Sequence, residues 1–228
     1  MAQTPAQRAL LLLAAACPDT PAEKLAQLSI GQRDLFLLTL REWCFGAQLI
    51  SVATCPNCSE RLELMFGVAD VRAPAVPDSK EALALNVADY EVRFRLPNSF
   101  DLVALAEQKD LAADGIRLLE RCLVTAHCNG EEKSAGQLPE AVVTAIMQRM
   151  SEADPQAEVQ LKLSCPACGH LWQMIFDIVS FFWSEIEAWA YRMLREVHVL
   201  ASAYGWREVD VLTMSPRRRQ FYLEMVKA

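Results

Sequence analysis

Two Cys-Pro-x-Cys turns, Cys55-Pro56-Asn57-Cys58 and Cys165-Pro166-Ala167-Cys168, are separated by 106 residues, and they constrain this chain more than any other feature. Each turn offers two thiolates, and four thiolates complete a tetrahedral zinc shell. Paired CxxC turns normally lie some 15–20 residues apart. A shared site therefore predicts a ribbon carrying a large insertion, whose halves meet only in the folded chain. The flanks agree. Ile50, Val52 and Thr54 alternate before the first turn and Leu62, Leu64 and Phe66 after it. Val159, Leu161 and Leu163 lead into the second, and Trp172, Met174 and Phe176 follow. That period of two predicts β-hairpins with a cysteine turn at each tip. The competing reading is two unrelated pairs, reduced or locally disulfide-bonded. A redox CxxC usually starts a helix, whereas strand-like sequence follows both turns here.

Cys55, Cys58, Cys165 and Cys168 are thus the expected ligands of one structural Zn2+ per chain. Four protein ligands leave no open position for catalytic water. The other cysteines (Cys17, Cys44, Cys122 and Cys128) lie in apolar or helical surroundings and read as buried thiols of a reducing cytoplasm. The net charge of −7 argues against a phosphate-binding surface. The 53% hydrophobic content supplies a core with ease. Arg8 before the run Leu10–Cys17 superficially resembles a secretion signal, but the run is short and the expectation is an ordinary first helix. No run reaches the ~18 apolar residues of a membrane span.

The predicted fold class is α+β, mainly helical, organised as one compact unit. Residues 1–47 form a helical region with capping signals at Thr20-Pro21-Ala22-Glu23 and at Ser29-Ile30-Gly31-Gln32, stopped by Gly46. The first hairpin is 48–68. An α/β insertion follows at 69–158: a linker from Arg72 to Lys80 around Pro74 and Pro77, then a strand on Tyr90, Val92, Phe94 and Leu96. After it come a helix capped by Asn98 or Ser99, a helix carrying Ile116, Leu119, Leu123 and Val124, a loop from His127 to Gly136, and a helix from Leu138 to Met150. The second hairpin is 159–177. Residues 178–228 begin with a long amphipathic helix whose stripe includes Phe182, Trp183, Ile186, Trp189, Met193, Val197 and Leu200. A short turn of helix and a final helix from Ser215-Pro216 complete it.

Nothing supports an enzyme: the sequence has no Walker motif, GxGxxG, GxSxG or HExxH. His170 follows the second knuckle and could replace a cysteine ligand, although four thiolates make it redundant. His198 near Glu196 reads as an ordinary helix residue, and the adjacent His127-Cys128 lacks catalytic geometry. Arg217-Arg218-Arg219 reads as solvated helix surface or, alternatively, as an anchor for an acidic partner or phosphate.

Several C-terminal segments together resemble the baseplate hub assembly chaperone family of contractile-tailed phages and related contractile injection systems. They are Cys165–Trp172, Phe176-Asp177, Phe182-Trp183-Ser184-Glu185, Glu196–Ala201, Tyr204-Gly205-Trp206 and Arg217–Leu223. The resemblance is most specific over 155–224, with looser support from Gly31-Gln32-Arg33-Asp34, Leu96-Pro97 and Asp154-Pro155. It implies a small non-enzymatic factor that meets baseplate hub or spike proteins in the host cytoplasm, or joins the particle, and takes no small-molecule substrate. Many relatives lack the cysteines, so zinc would brace this chain without being essential to the family's role. Phe182, Trp183, Trp189, Tyr204, Trp206, Arg217 and Arg218 are the expected partner-binding region, since aromatic and arginine side chains dominate interface energetics. The alternative is a zinc-ribbon nucleic-acid-binding or transcription-associated protein.

Overall fold

A computed structural model of the chain describes residues 3–74, 82–106 and 114–227. It is a mixed α+β structure, and it divides into two compact units, Met1–Val179 and Ser180–Ala228.

The first unit opens with three helices, α1 (Pro5–Ala16), α2 (Ala22–Ala26) and α3 (Ile30–Phe45). Helix α1 starts at a capping box of Thr4 and Gln7, α3 at one of Ser29 and Gln32. Each box satisfies N–H groups that a helix start leaves without partners. The Thr20 signal is displaced: Pro21 itself is the N-cap of α2 and no side chain caps it. Gly46 ends α3 at φ 86°, a left-handed position that suits glycine.

Strands β1 (Gln48–Thr54) and β2 (Arg61–Gly67) then form the first hairpin, with Thr54 opposite Arg61 and Gln48 opposite Gly67. A one-turn helix α4 (Val68–Val71) follows. Of the predicted linker, residues 75–80 lie outside the described residues. The insertion is richer in strand than its sequence suggests. Strands β3 (Leu83–Val87), β4 (Tyr90–Phe94), β5 (Leu123–Cys128) and β6 (Glu131–Glu132) form an antiparallel sheet in chain order. Helices α5 (Ser99–Ala106) and α6 (Asp114–Cys122) lie between β4 and β5 in the chain, and α7 (Glu140–Ala153) comes after the sheet.

Two expectations fail here. Leu123 and Val124 continue into β5 and not along the helix, and His127–Gly136 holds paired strand and a 3₁₀ turn where a loop was predicted. The sheet decides both, because Phe94 of β4 pairs with Leu123, and Val92 with Ala126. The core joins Val92, Phe94, Leu119, Cys122, Ala126, Leu138, Val142, Ile146 and Met150, so α6 and α7 bury their apolar sides against the sheet. One buried carboxylate ties the polar seam: Asp101 accepts from Arg95 at 2.6 and 2.9 Å and from Arg121 at 2.9 Å. Strands β7 (Val159–Ser164) and β8 (Leu171–Phe176) form the second hairpin.

Helix α8 (Ile178–Tyr204) starts in the first unit and runs into the second. Within Ser180–Ala228, α9 (Glu208–Leu212) and α10 (Pro216–Lys227) close a small core of Leu200, Val211 and Leu223 with Val197, Trp206 and Tyr222.

Candidate metal centre

The two turns have one construction. In the first, Cys55 N–H donates to the Glu60 carbonyl at 2.9 Å and Ser59 N–H to the Cys55 carbonyl at 3.0 Å. In the second, Cys165 donates to His170 and Gly169 to Cys165, both at 2.9 Å. The residue after each second cysteine is left-handed, Ser59 at φ 62° and Gly169 at φ 72°. This twist turns the backbone so that both thiols of a turn face the same point.

The hairpins bring those points together. Their inward rows share a cluster of Cys55, Leu62 and Cys165 with Leu64 and Trp172, and Phe66 meets the edge of Phe176 at 5.6 Å. At the tips, Cys55 Sγ lies 3.7 Å from Cys168 Sγ, and Cys58 Sγ 3.5 Å from Cys165 Sγ. All four sulfurs lie within 4.8 Å of one another. A tetrahedron of Zn–S bonds of about 2.3 Å has edges of about 3.8 Å. The four cysteines named from spacing are therefore one cluster with the dimensions of a metal shell. Cys55 and Cys165 are buried, whereas Cys58 and Cys168 face solvent.

The chemistry of the donors fits a cation. The Cys168 thiol is drawn down to about 6, first by the Asn57 amide, which donates to Sγ at 3.5 Å, and then by the backbone N–H of His170. Cys58 is pushed up to about 12. The Glu60 backbone N–H lowers it, but the shared hydrogen bond to Cys168 and desolvation outweigh that pull. Without a cation the protons divide unequally among the sulfurs, and four thiolates this close would repel. A divalent ion is the group that lets all four ionise. Asn57 is the contributor that spacing did not single out; its only signal was its place inside the first turn. His170 stays outside the cluster, and its ring stacks on Trp172 at 6.1 Å.

The expected partner-binding residues differ in exposure and surroundings. Phe182 is buried, and Trp183 is half-buried with its indole N–H donating to Glu187 at 2.7 Å. Trp189 is 47% exposed. Tyr204 and Trp206 stack at 4.5 Å, and Tyr222 closes on Trp206 edge-on at 4.8 Å. Arg217 and Arg218 are exposed, the latter lying over the Tyr222 ring at 5.7 Å. Arg219 departs from the solvated reading of the arginine run. It is buried, bonded through Nε to Glu196 at 3.0 Å and through Nη1 to the Met214 carbonyl at 2.6 Å. Glu196 is therefore occupied by Arg219, and His198 is exposed.

The scaffold and its cluster define an α+β protein with a four-thiol site made by two distant hairpin tips. Residues 2–183 match the family model described as T4 bacteriophage base plate protein. That stretch is most of the chain, so the chain belongs to this family. The match takes in both knuckles and ends inside α8, whereas the resemblance seen in sequence was most specific over 155–224; residues 184–228 lie beyond it. No curated protein and no solved structure matches the chain. Among the described residues, no helix is long and apolar enough to cross a membrane.

Proposed function

We propose that this chain is a non-enzymatic assembly factor for the hub of a contractile-tail baseplate, working in the cytoplasm of the bacterial host and braced by one structural zinc. Membership of the baseplate family over residues 2–183 is the observation that carries this reading. The four-thiol cluster supports the zinc, because four protein ligands exclude water and substrate from the metal. The chemistry asked of the site is mechanical: to hold two hairpins that the chain separates by 106 residues. The partners are hub or spike proteins. Exposed Trp189, Arg217 and Arg218 are the candidate contacts, and Phe182 and Trp206 serve mainly as packing.

Two measurements test this. Elemental analysis of the purified protein should give one zinc per chain, lost in Cys55→Ser and in Cys165→Ser; metal-free protein from a chelator-free preparation overturns the zinc. Co-purification with each hub and spike protein should identify a partner whose affinity drops at least tenfold in Trp189→Ala while the melting curve stays put. Binding to none of them, or a fixed copy number in mature particles, overturns the assembly-factor reading.

A further inference from the structure

Among the described residues each cysteine hairpin is a two-stranded sheet, so its outer edges present backbone groups that no further strand pairs. In the first hairpin the ladder runs through Cys55–Glu60 and Ala47–Val68, whose backbone bonds are 2.9 and 2.8 Å. Alternation along that ladder turns the N–H and C=O groups of Leu62, Leu64 and Phe66 toward β1, and those of Arg61, Glu63 and Met65 outward. Arg61 and Glu63 are exposed, and neither has an ion-pair partner among the described residues. A shallow groove runs beside this edge, lined by Glu60 to Leu64 and by Ser164, Pro166 and Ala167.

We infer that the β2 edge is a self-pairing interface, and that its occupant is β2 of a second copy of this chain. The charge pattern carries the choice. Two β2 strands related by a two-fold axis through Leu62 run antiparallel, with Arg61 of each opposite Glu63 of the other. Both residues of such a pair point their backbone groups outward, so they fall on hydrogen-bonded positions of the new ladder. The register thus supplies two opposite-charge cross-strand pairs and four backbone bonds at once. The other hairpin edges lack this complementarity. β1 offers uncharged Gln48, Ile50, Val52 and Thr54 outward, β8 offers Leu171, Gln173 and Ile175, and β7 offers Gln160, Lys162 and Ser164, whose single charge is a lysine that blunts an edge. The inference goes beyond the proposed assembly role and does not depend on it.

The test is sedimentation of the zinc-loaded full chain over a wide concentration range. The parent should show a reversible monomer–dimer equilibrium. Glu63→Arg places like charges opposite each other twice and should raise the dimer dissociation constant roughly tenfold or more. The double exchange Arg61→Glu with Glu63→Arg restores opposite charges in the same register and should recover the dimer. Glu63→Pro removes an outward N–H without touching the ladder to β1 and should also leave monomer. A chain that is monomeric throughout, or a dimer indifferent to Glu63→Arg or Glu63→Pro, overturns the proposal. Failure of the double exchange to rescue overturns the register. Unchanged melting and metal content of each variant separate these outcomes from misfolding.

Discussion

Gly31 and Asp154 are 123 positions apart, yet the Gly31 N–H donates to the Asp154 carboxylate at 2.8 Å, fastening the start of α3 to the end of α7. A Cβ on Gly31 would lie 1.9 Å from Asp154 Oδ1, closer than any real contact. Gly31→Ala should therefore cost about 2–3 kcal/mol in denaturant unfolding. Gly115→Ala, whose Cβ meets nothing within 4 Å, should stay within about 1 kcal/mol of the parent. Beside Gly31, burial pushes the Asp34 carboxyl up to about 6, against the opposing pull of Arg33, whose Nε donates to it at 2.7 Å. The folded value exceeds the unfolded 3.8. Protonation thus favours the fold, and this contribution is complete below about pH 4 and lost as pH rises through 6. Relative to Asp34→Asn, the parent should gain up to about 3 kcal/mol between pH 7 and pH 4. A pH-independent difference between the two unfolding curves would refute the assignment. The cysteines were legible at this scale because four thiols in two spaced pairs have few other uses. Asp101, Asp154 and Arg219 were not, because a buried charge is recognised by its partner, and each partner arrives through the fold.

At the scale of elements, the hairpins and long helices could be read from periodicity, as could the Ser29 box and the Gly46 stop. Strand β5 could not. Leu123-Val124-Thr125-Ala126 follows α6 with no glycine or proline between, and helical spacing extends smoothly from Leu119 to Leu123. What ends the helix is the sheet: Arg95 N–H donates to the Cys122 carbonyl at 2.9 Å and β4 captures the next residues. The knuckles invite a comparison inside one molecule, because equivalent left-handed positions carry Ser59 and Gly169. Serine lacks glycine's freedom there. Ser59→Gly should stabilise the first knuckle by up to about 1 kcal/mol, and Gly169→Ala, with open space around its Cβ, should destabilise the second by about as much. Competition of both variants against a zinc chelator reads this directly: metal should be held more tightly in the first and less tightly in the second.

Over the whole of Met1–Val179, two kinds of cohesion divide the work. The insertion owns a continuous apolar core from Val92 to Met150, whereas the cluster that the hairpins share beneath the sulfurs is small among the described residues. Two-stranded sheets are marginal by themselves, so the hairpins must draw their stability from each other and from whatever joins their tips. Structural zinc in small sites contributes on the order of 10 kcal/mol, far more than such a cluster can. Chelation should therefore act regionally. Hydrogen exchange after metal removal should accelerate through Gln48–Gly67 and Val159–Phe176, while amides of β4 and α7 keep their protection. Uniform loss of protection would mean that the metal holds the insertion as well, and that its core is not self-sufficient. Unchanged exchange in the hairpins would mean that side-chain packing alone closes them. The regional outcome would also account for how a scaffold of this kind tolerates an insertion of 106 residues between paired turns: the inserted chain folds on its own core, and the metal has only to close the gap at the tips.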